Sequence, residues 1–255
     1  MSRRIGRRSR TQSGTRSAIA LLLSLTAGRP FFNGDRYIVD GGSGKVRSIV
    51  DHNDATHILD QATTARQVPL PAAHADYGGR LCYTNTAVNG GFYASNRAVS
   101  AWNYTCDGSG VEIYDARTHT ANTANQVGWT TVSGAVPGII QIHTAPNLSA
   151  EVRGAAGASR LTLASAALSI GTPVVYRFSH GSSDTPDGRT QSTGGSEITG
   201  DYTGALVASP TVTLGVLALN TAGTLPFIGR MRWLGFFPLL TPAQRTWIMS
   251  VGLSV

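Results

Sequence analysis

The chain has 255 residues and a formal net charge of +7, with 30 glycines, one lysine (Lys45) and three glutamates (Glu112, Glu151 and Glu197). So few of the residues that cover exposed helices, beside so much Gly, Thr, Ser and Val, point to an all-β protein with many turns and enough length to bury a core. No run of about 18 apolar residues occurs, which excludes a membrane-spanning helix. The charge is too localised for a basic binding face: residues 1–36 hold eight arginines and Asp35, and the other 13 basic and 13 acidic residues cancel.

Residues 1–17, MSRRIGRRSRTQSGTRS, have almost nothing to bury, and alone in water such a segment is disordered. Ala18 to Leu25, AIALLLSL, is a short apolar run. Together they have the form of a secretory signal, with a basic start, an apolar middle and small residues at Ala27-Gly28. They equally have the form of an anchor. Arg3, Arg4, Arg7, Arg8, Arg10 and Arg16 would pair with acidic groups on a partner, and Ile19, Leu21, Leu22 and Leu23 would plug an apolar site. The arginines would also neutralise phosphates, but no aromatic residues are interleaved to stack on bases, so sequence-specific nucleic-acid binding is not expected. We adopt the anchor reading, with residues 1–36 as an extended basic arm and 37–255 as one domain.

Tyr37 to Val50 holds two short strands around Gly41-Gly42-Ser43-Gly44. A phosphate-binding loop would need glycine where Val39 stands and Ser or Thr where Val46 stands, so this is a hairpin turn. Asp51 to Pro71 reads as a solvated loop. Its His52, Asp54, His57 and Asp60 match no zinc or calcium spacing. From Tyr77 onward, strands alternate with turns every ten residues or so, the rhythm of an all-β sandwich. The strands fall at Leu81–Thr84, Gly91–Ala94, Trp102–Cys106, Val111–Asp115, Gln126–Val132, Gly138–Thr144, Leu148–Arg153, Arg160–Ala164, Pro173–His180, Arg189–Ser196 and Thr211–Leu219. Thr172 to His180 and Ser209 to Asn220 alternate as strands with one wet face.

Phe227 to Phe237 is apolar enough for a closing strand buried on both faces, and Pro238 ends it. A short helix follows over 241–251. Thr241 is its N-cap, Pro242 lies at N1, and Gln244 completes a capping box. Trp247, Ile248 and Val251 repeat at helical spacing, and Gly252 stops the run.

No assembled catalytic constellation is evident. Glu112 and Asp115 are three apart on a strand, so their carboxylates point to opposite faces. There is no Gly-x-Ser-x-Gly nucleophile elbow. Cys82 and Cys106 are either a disulfide between neighbouring strands or two buried thiols, and neither has a motif partner for metal or nucleophile chemistry. Trp102, Tyr104, Trp129 and Tyr202 are available as an aromatic platform for a glycan, although the tryptophans read first as core residues. Asp184, Asp187 and Tyr202 are the candidate glycan contacts, with Asp184 and Asp187 equally suited to forming turns.

Three stretches carry a family resemblance. VRSIVDHNDATHILDQATTARQVPLP (46–71) resembles the opening strand and Gln-Ala-Thr segment of the concanavalin A-like, laminin-G-like jelly roll, in the form found among bacteriophage virion proteins. IGTPVVYRFSHG (170–181) resembles its central strand, with a hairpin through Asp184 to Gly188, and FIGRMRWLGFFPLLTPAQRTWIMSVG (227–252) resembles its last strand and terminal helix. The resemblance implies a two-sheet antiparallel sandwich and one of three roles, since relatives bind glycans, cleave them or build particles. Retaining glucanases of this fold place acids at alternate strand positions, a pattern missing here. A calcium site would draw ligands from several loops, which sequence does not reveal, and no cofactor is implied.

The expectation is therefore a non-enzymatic structural protein of a virion. It would be a homo-oligomeric jelly roll displayed on a phage capsid or tail, attached to capsid or tail proteins through its arm and able to meet a host-surface glycan. The alternative is a secreted or surface carbohydrate-binding module with an N-terminal signal.

Overall fold

The computed structural model describes residues 10–87, 91–98, 110–121, 126–131, 138–144, 147–153, 159–167, 169–180, 188–201, 213–218 and 225–255. Its strands are β1 (Phe31–Asn33), β2 (Tyr37–Val39), β3 (Val46–Val50), β4 (Ile58–Asp60), β5 (Ala72–His74), β6 (Arg80–Asn85), β7 (Tyr93–Ala98), β8 (Val111–His119) and β9 (Gln126–Thr130). They continue with β10 (Gly138–Thr144), β11 (Asn147–Arg153), β12 (Ser159–Ala167), β13 (Pro173–His180), β14 (Gly188–Ser192), β15 (Ile198–Gly200), β16 (Thr213–Val216) and β17 (Gly229–Phe237). Two α-helices, α1 (Arg10–Leu25) and α2 (Pro242–Val251), and two short 3-10 helices, Thr64–Arg66 and Ala75–Tyr77, complete the described elements.

The strands form a jelly-roll sandwich. One sheet runs β15-β14-β13-β8-β17-β6-β5, with β1 also paired to β17; the other runs β12-β11-β10-β9-β16-β7-β4-β3-β2. Every strand pair described is antiparallel. Between the sheets lies one core, in which Ile113, Tyr176, Phe178, Met231, Leu234 and Phe236 meet Val46, Leu59, Tyr93, Trp129, Leu148 and Val216.

The first sheet has a second buried face. There Phe31, Tyr77, Cys82, Tyr114, Ala116, Val175, Trp233 and Phe237 are covered by Leu22 of α1, by Leu240 and Ile248 of the α2 region, and by Val255. This is why β17 is buried along almost its whole length, as its composition predicts. It also corrects two expectations. β13 has no wet face, because Val175, Arg177 and Ser179 are buried on the helix side. Leu214 to Ala218, within the other strand expected to be half wet, are buried throughout.

The central strand depends on a bulge. The register of β17 against β8 shifts between Met231 and Trp233, leaving Arg232 as the extra residue. Side chains alternate across a strand, so the shift lets both Met231 and Leu234 face the inter-sheet core while Trp233 and Phe237 face the helices. Arg232 is fully buried and acts as a clamp. Its guanidinium donates to Val255 O at 2.9 Å, Leu81 O at 2.9 Å and Asp35 Oδ2 at 2.8 Å.

Within the described part of the N-terminal arm, Arg10–Leu25 is not extended. Arg10–Leu25 is a helix, because Ala and Leu are strong helix formers and Ala18, Leu22 and Leu25 fall on one stripe that packs against the first sheet. Leu22 is wholly buried by the chain's own body, whereas Leu21 is 47% exposed. The helix ends at a left-handed turn, Ala27 and Gly28, held by Asn53 Nδ2 donating to Thr26 Oγ1 at 2.8 Å and Arg29 O at 2.6 Å. β1 lies within the expected arm yet pairs with the centre of the sheet (Phe31 with Gly235), so the sandwich begins before residue 37.

The terminal helix is capped as the sequence predicts: Thr241 Oγ1 accepts from Gln244 N, and Gln244 Oε1 accepts from Thr241 N at 2.8 Å. Gly252 serves a different purpose from the one expected. Its backbone is right-handed, and a Cβ there would come within 2.7 Å of Val175 Cγ2, so it is a close-approach glycine rather than a left-handed stop. The Gly41–Gly44 stretch is the expected hairpin, closed by Asp40 N to Lys45 O at 2.8 Å.

Candidate functional site

An open groove of about 600 Å³ lies on the outer side of the first sheet, between β13, β14, the loop into β15 and helix α2. Three arginines converge on it. Arg177 and Arg189 point to the same face because they sit on paired antiparallel strands, where Ser179 opposes Arg189 and Arg177 opposes Gln191. Arg245 comes from the second turn of α2, whose start is fixed by the Thr241 cap. Gln191, Thr193, Thr246 and Ser250 supply neutral polar groups, and Pro242 and Met249 an apolar side.

Glu197 is the one carboxylate in the lining. It accepts from Arg177 and from Arg189 Nη1 at 2.9 Å. Burial pushes its carboxyl up, but the hydrogen bonds and charges of Arg189 and Arg177 outweigh this and hold it below the usual glutamate range. Arg245 donates through Nε to Glu112 Oε1 at 2.6 Å. Glu112 is fully buried and also takes Tyr114 Oη at 2.6 Å and the Leu240 amide at 3.0 Å. Burial, then the Glu112 charge, drives the Tyr114 phenol far above its usual range, so it stays a donor.

Among the described residues, three guanidiniums stand against the carboxylates of Glu197 and Glu112, an excess of one positive charge. Arg177 is 1% exposed, and its Nε is buried without a hydrogen-bond partner. Such a donor costs about 1–3 kcal/mol relative to a satisfied one. The arrangement suits planar, two-point recognition of a carboxylate. The neutral polar rim is held by its own backbone: Gln191 Nε2 donates to Gly195 O at 3.1 Å, Thr246 Oγ1 to Pro242 O at 3.0 Å and Ser250 Oγ to Trp247 O at 2.7 Å, which leaves the hydroxyl and amide oxygens as acceptors for a ligand.

A second constellation has the composition of a hydrolase relay but serves as a clip. His57 Nδ1 lies 3.0 Å from Asp51 Oδ2, and His57 Nε2 lies 2.8 Å from Ser95 Oγ. Ser95 is 4% exposed, its hydroxyl bonds Arg97 O at 2.9 Å, and it accepts from Arg97 N at 3.0 Å. A nucleophile needs a free approach to substrate, and this hydroxyl has none. Asp51 Oδ1 accepts from the Phe31 and Asn53 amides at 3.0 and 2.9 Å, so the unit ties β1, the loop before β4, and β7 together. This corrects the solvated-loop expectation: Asp51 and His57 are each 2% exposed. Asp54 and Asp60 do lie towards the surface, paired with Arg97 at 2.7 Å and Arg47 at 2.8 Å.

The other predicted residues fall as follows. Glu112 and Asp115 do point to opposite faces, Glu112 towards α2 and Asp115 into the core, where it accepts from Trp129 Nε1 at 2.9 Å. Trp129 is a core residue with no exposed surface and is not a platform. Cys82 is a buried thiol donating to Ala72 O at 3.5 Å, and burial raises its pKa to about 11. Trp102, Tyr104, Cys106, Asp184, Asp187 and Tyr202 lie outside the described residues, as do Arg3, Arg4, Arg7 and Arg8. Arg10 and Arg16 sit in α1; Ile19 and Leu23 are half-buried, so only Leu21 of the apolar plug is well exposed. No His, Cys, Asp or Glu cluster able to hold a metal is found among the described residues. The groove arginines were not foreseen; the one signal is Arg177 inside the apolar run VVYRFSH, a charged residue that a strand buried on both faces must satisfy.

No family model matches the chain, and no curated protein matches it in sequence. Solved structures do share its architecture. A Trypanosoma rangeli sialidase in complex with a difluorinated KDN is 10% identical with a TM-score of 0.56, covering 90% of this chain and 34% of the sialidase. A Ruminococcus gnavus IT-sialidase CBM40 bound to alpha2,3 sialyllactose is 14% identical with a TM-score of 0.48, covering 58% of this chain and 86% of that one. This chain thus spans about a third of the trypanosomal enzyme's length. At these identities the likeness is one of fold, a lectin-like jelly-roll sandwich.

Proposed function

We propose that the protein is a non-catalytic, lectin-like module that binds a glycan in the groove between β13, β14 and α2. The observation that carries this reading is the groove itself, open and lined by arginines, Gln191, Thr193, Thr246 and Ser250 on a rigid sheet face. Forked donors, amides and hydroxyls on regular elements are the equipment for holding sugar hydroxyls at fixed geometry. The sandwich scaffold, of the same fold as part of a sialidase, is consistent with it. The full-length chain on a glycan array is expected to retain a defined subset of glycans. Signal no higher than that of an unrelated β-sandwich across the array would overturn the reading.

A second reading, attachment to a larger assembly such as a virion, rests on a separate observation. Leu21, Leu25, Ala243, Gln244 and Trp247 line an open, mostly apolar groove of about 240 Å³ between α1 and α2. In that reading the full chain self-associates or docks there, and light scattering should show a higher-order species that deletion of residues 1–17 abolishes. The cut must stop at 17, because removing Leu22 would strip the first sheet of part of its cover. A monomer before and after the deletion would remove this reading.

A further inference from the structure

Resting on the glycan-binding reading, we infer that the ligand of the groove is a carboxylated sugar whose acid group is held by Arg177 and Arg189, with Glu197 acting as a built-in competitor. Two independent features point the same way. The groove carries three arginines against two carboxylates, one of which, Glu112, is buried behind Arg245 and satisfied by three donors. The Nε of Arg177 is buried without a partner although the residue lines the groove. Buried polar groups are normally satisfied, so this donor is spare hydrogen-bonding capacity at the groove.

The guanidinium geometry selects the class of anion. A planar fork matches a planar carboxylate with two parallel hydrogen bonds. Glu197 already uses part of this capacity, bridging Arg177 and Arg189. It is about one-third exposed, so a ligand acid reaching the same pair must share or displace it. The sugar ring would then rest along Met249 and Pro242, with its hydroxyls towards Gln191, Thr193 and Ser250. Among the described residues the charged part of the lining is the three guanidiniums and Glu197, so an acid group on the sugar has the strongest contacts to gain there.

The test is titration calorimetry of the full chain with two matched pairs of probes: 3′-sialyllactose against lactose, and digalacturonate against galactobiose. At least one acid is expected to bind ten times or more tightly than its neutral partner, and to weaken as salt rises. Arg189→Gln, at a partly exposed residue and checked for folding by its melting curve, should reduce acid binding tenfold or more. Arg177→Lys, checked for folding by its melting curve, should do the same although charge is kept, because the fork is lost. Glu197→Gln should raise acid affinity several-fold. If neutral glycans bind as well as the acids and none of the variants changes this, the inference fails while the module reading stands. If no glycan of either kind binds here or on the array, both fail together.

Discussion

Replacing Trp233 by alanine is expected to cost about 3–5 kcal/mol, the usual range for emptying a large aromatic site in a core. Trp233 is 1% exposed and faces the helices, not the second sheet. Its ring stacks on Phe31 at 5.5 Å, and its Nε1 donates to Gly252 O at 2.7 Å, just past the end of α2. One side chain therefore joins β17 to β1 and to the terminal helix. Trp233→Phe keeps most of the packing but loses the hydrogen bond, and should cost about 1 kcal/mol plus a small cavity term. Urea unfolding followed by tryptophan fluorescence and circular dichroism measures both. An alanine variant with an unchanged midpoint would mean that the helical layer holds the sheet without this anchor.

The same residue shows what the chain reveals by pattern and what it hides. Long elements were legible because their periodicity is strong: β10 and β13 start and end where the sequence predicts, and the Thr241–Gln244 box defines α2. β1, β4, β5 and β15 are three residues each, too short for alternation to register. The expected wet face of β13 failed because Val175, Arg177 and Ser179 read as an ordinary half-polar face until two helices are known to cover it. α1 hid behind its Arg- and Ser-rich start, and packing of Ala18, Leu22 and Leu25 adds to the helix propensity of its Ala and Leu. The clip of Asp51, His57 and Ser95 joins residues up to 44 positions apart, and the groove gathers positions 177, 189, 197 and 245. No spacing rule links residues brought together only by strand register and a helix crossing.

Removing the carboxylate of Asp115 is the second large effect expected, about 3–5 kcal/mol for Asp115→Ala, because it takes a doubly bonded carboxylate away from a buried cation. Asp115 and Arg117 are both fully buried, and two bonds run between guanidinium and carboxylate. The two residues lie on the same face of β8, being two apart, so the pair is set by the strand itself. Arg117 lies over the rings of Tyr176 and Phe227 at 5.9 and 5.6 Å, which gives the charge some compensation but not a counter-ion. The variant also leaves the Trp129 indole without the acceptor it has at 2.9 Å. The double variant Asp115→Ala/Arg117→Met should cost clearly less than the sum of the two single changes, with a coupling of about 1–3 kcal/mol by denaturant unfolding. A buried ion pair of this kind contributes little net stability over an apolar pair of the same volume, yet either half alone is costly. Strictly additive costs would mean that each residue is held by its other neighbours and that the pairing on β8 is incidental. The coupling expected here means instead that, on β8, each of the two charges offsets part of the cost of burying the other.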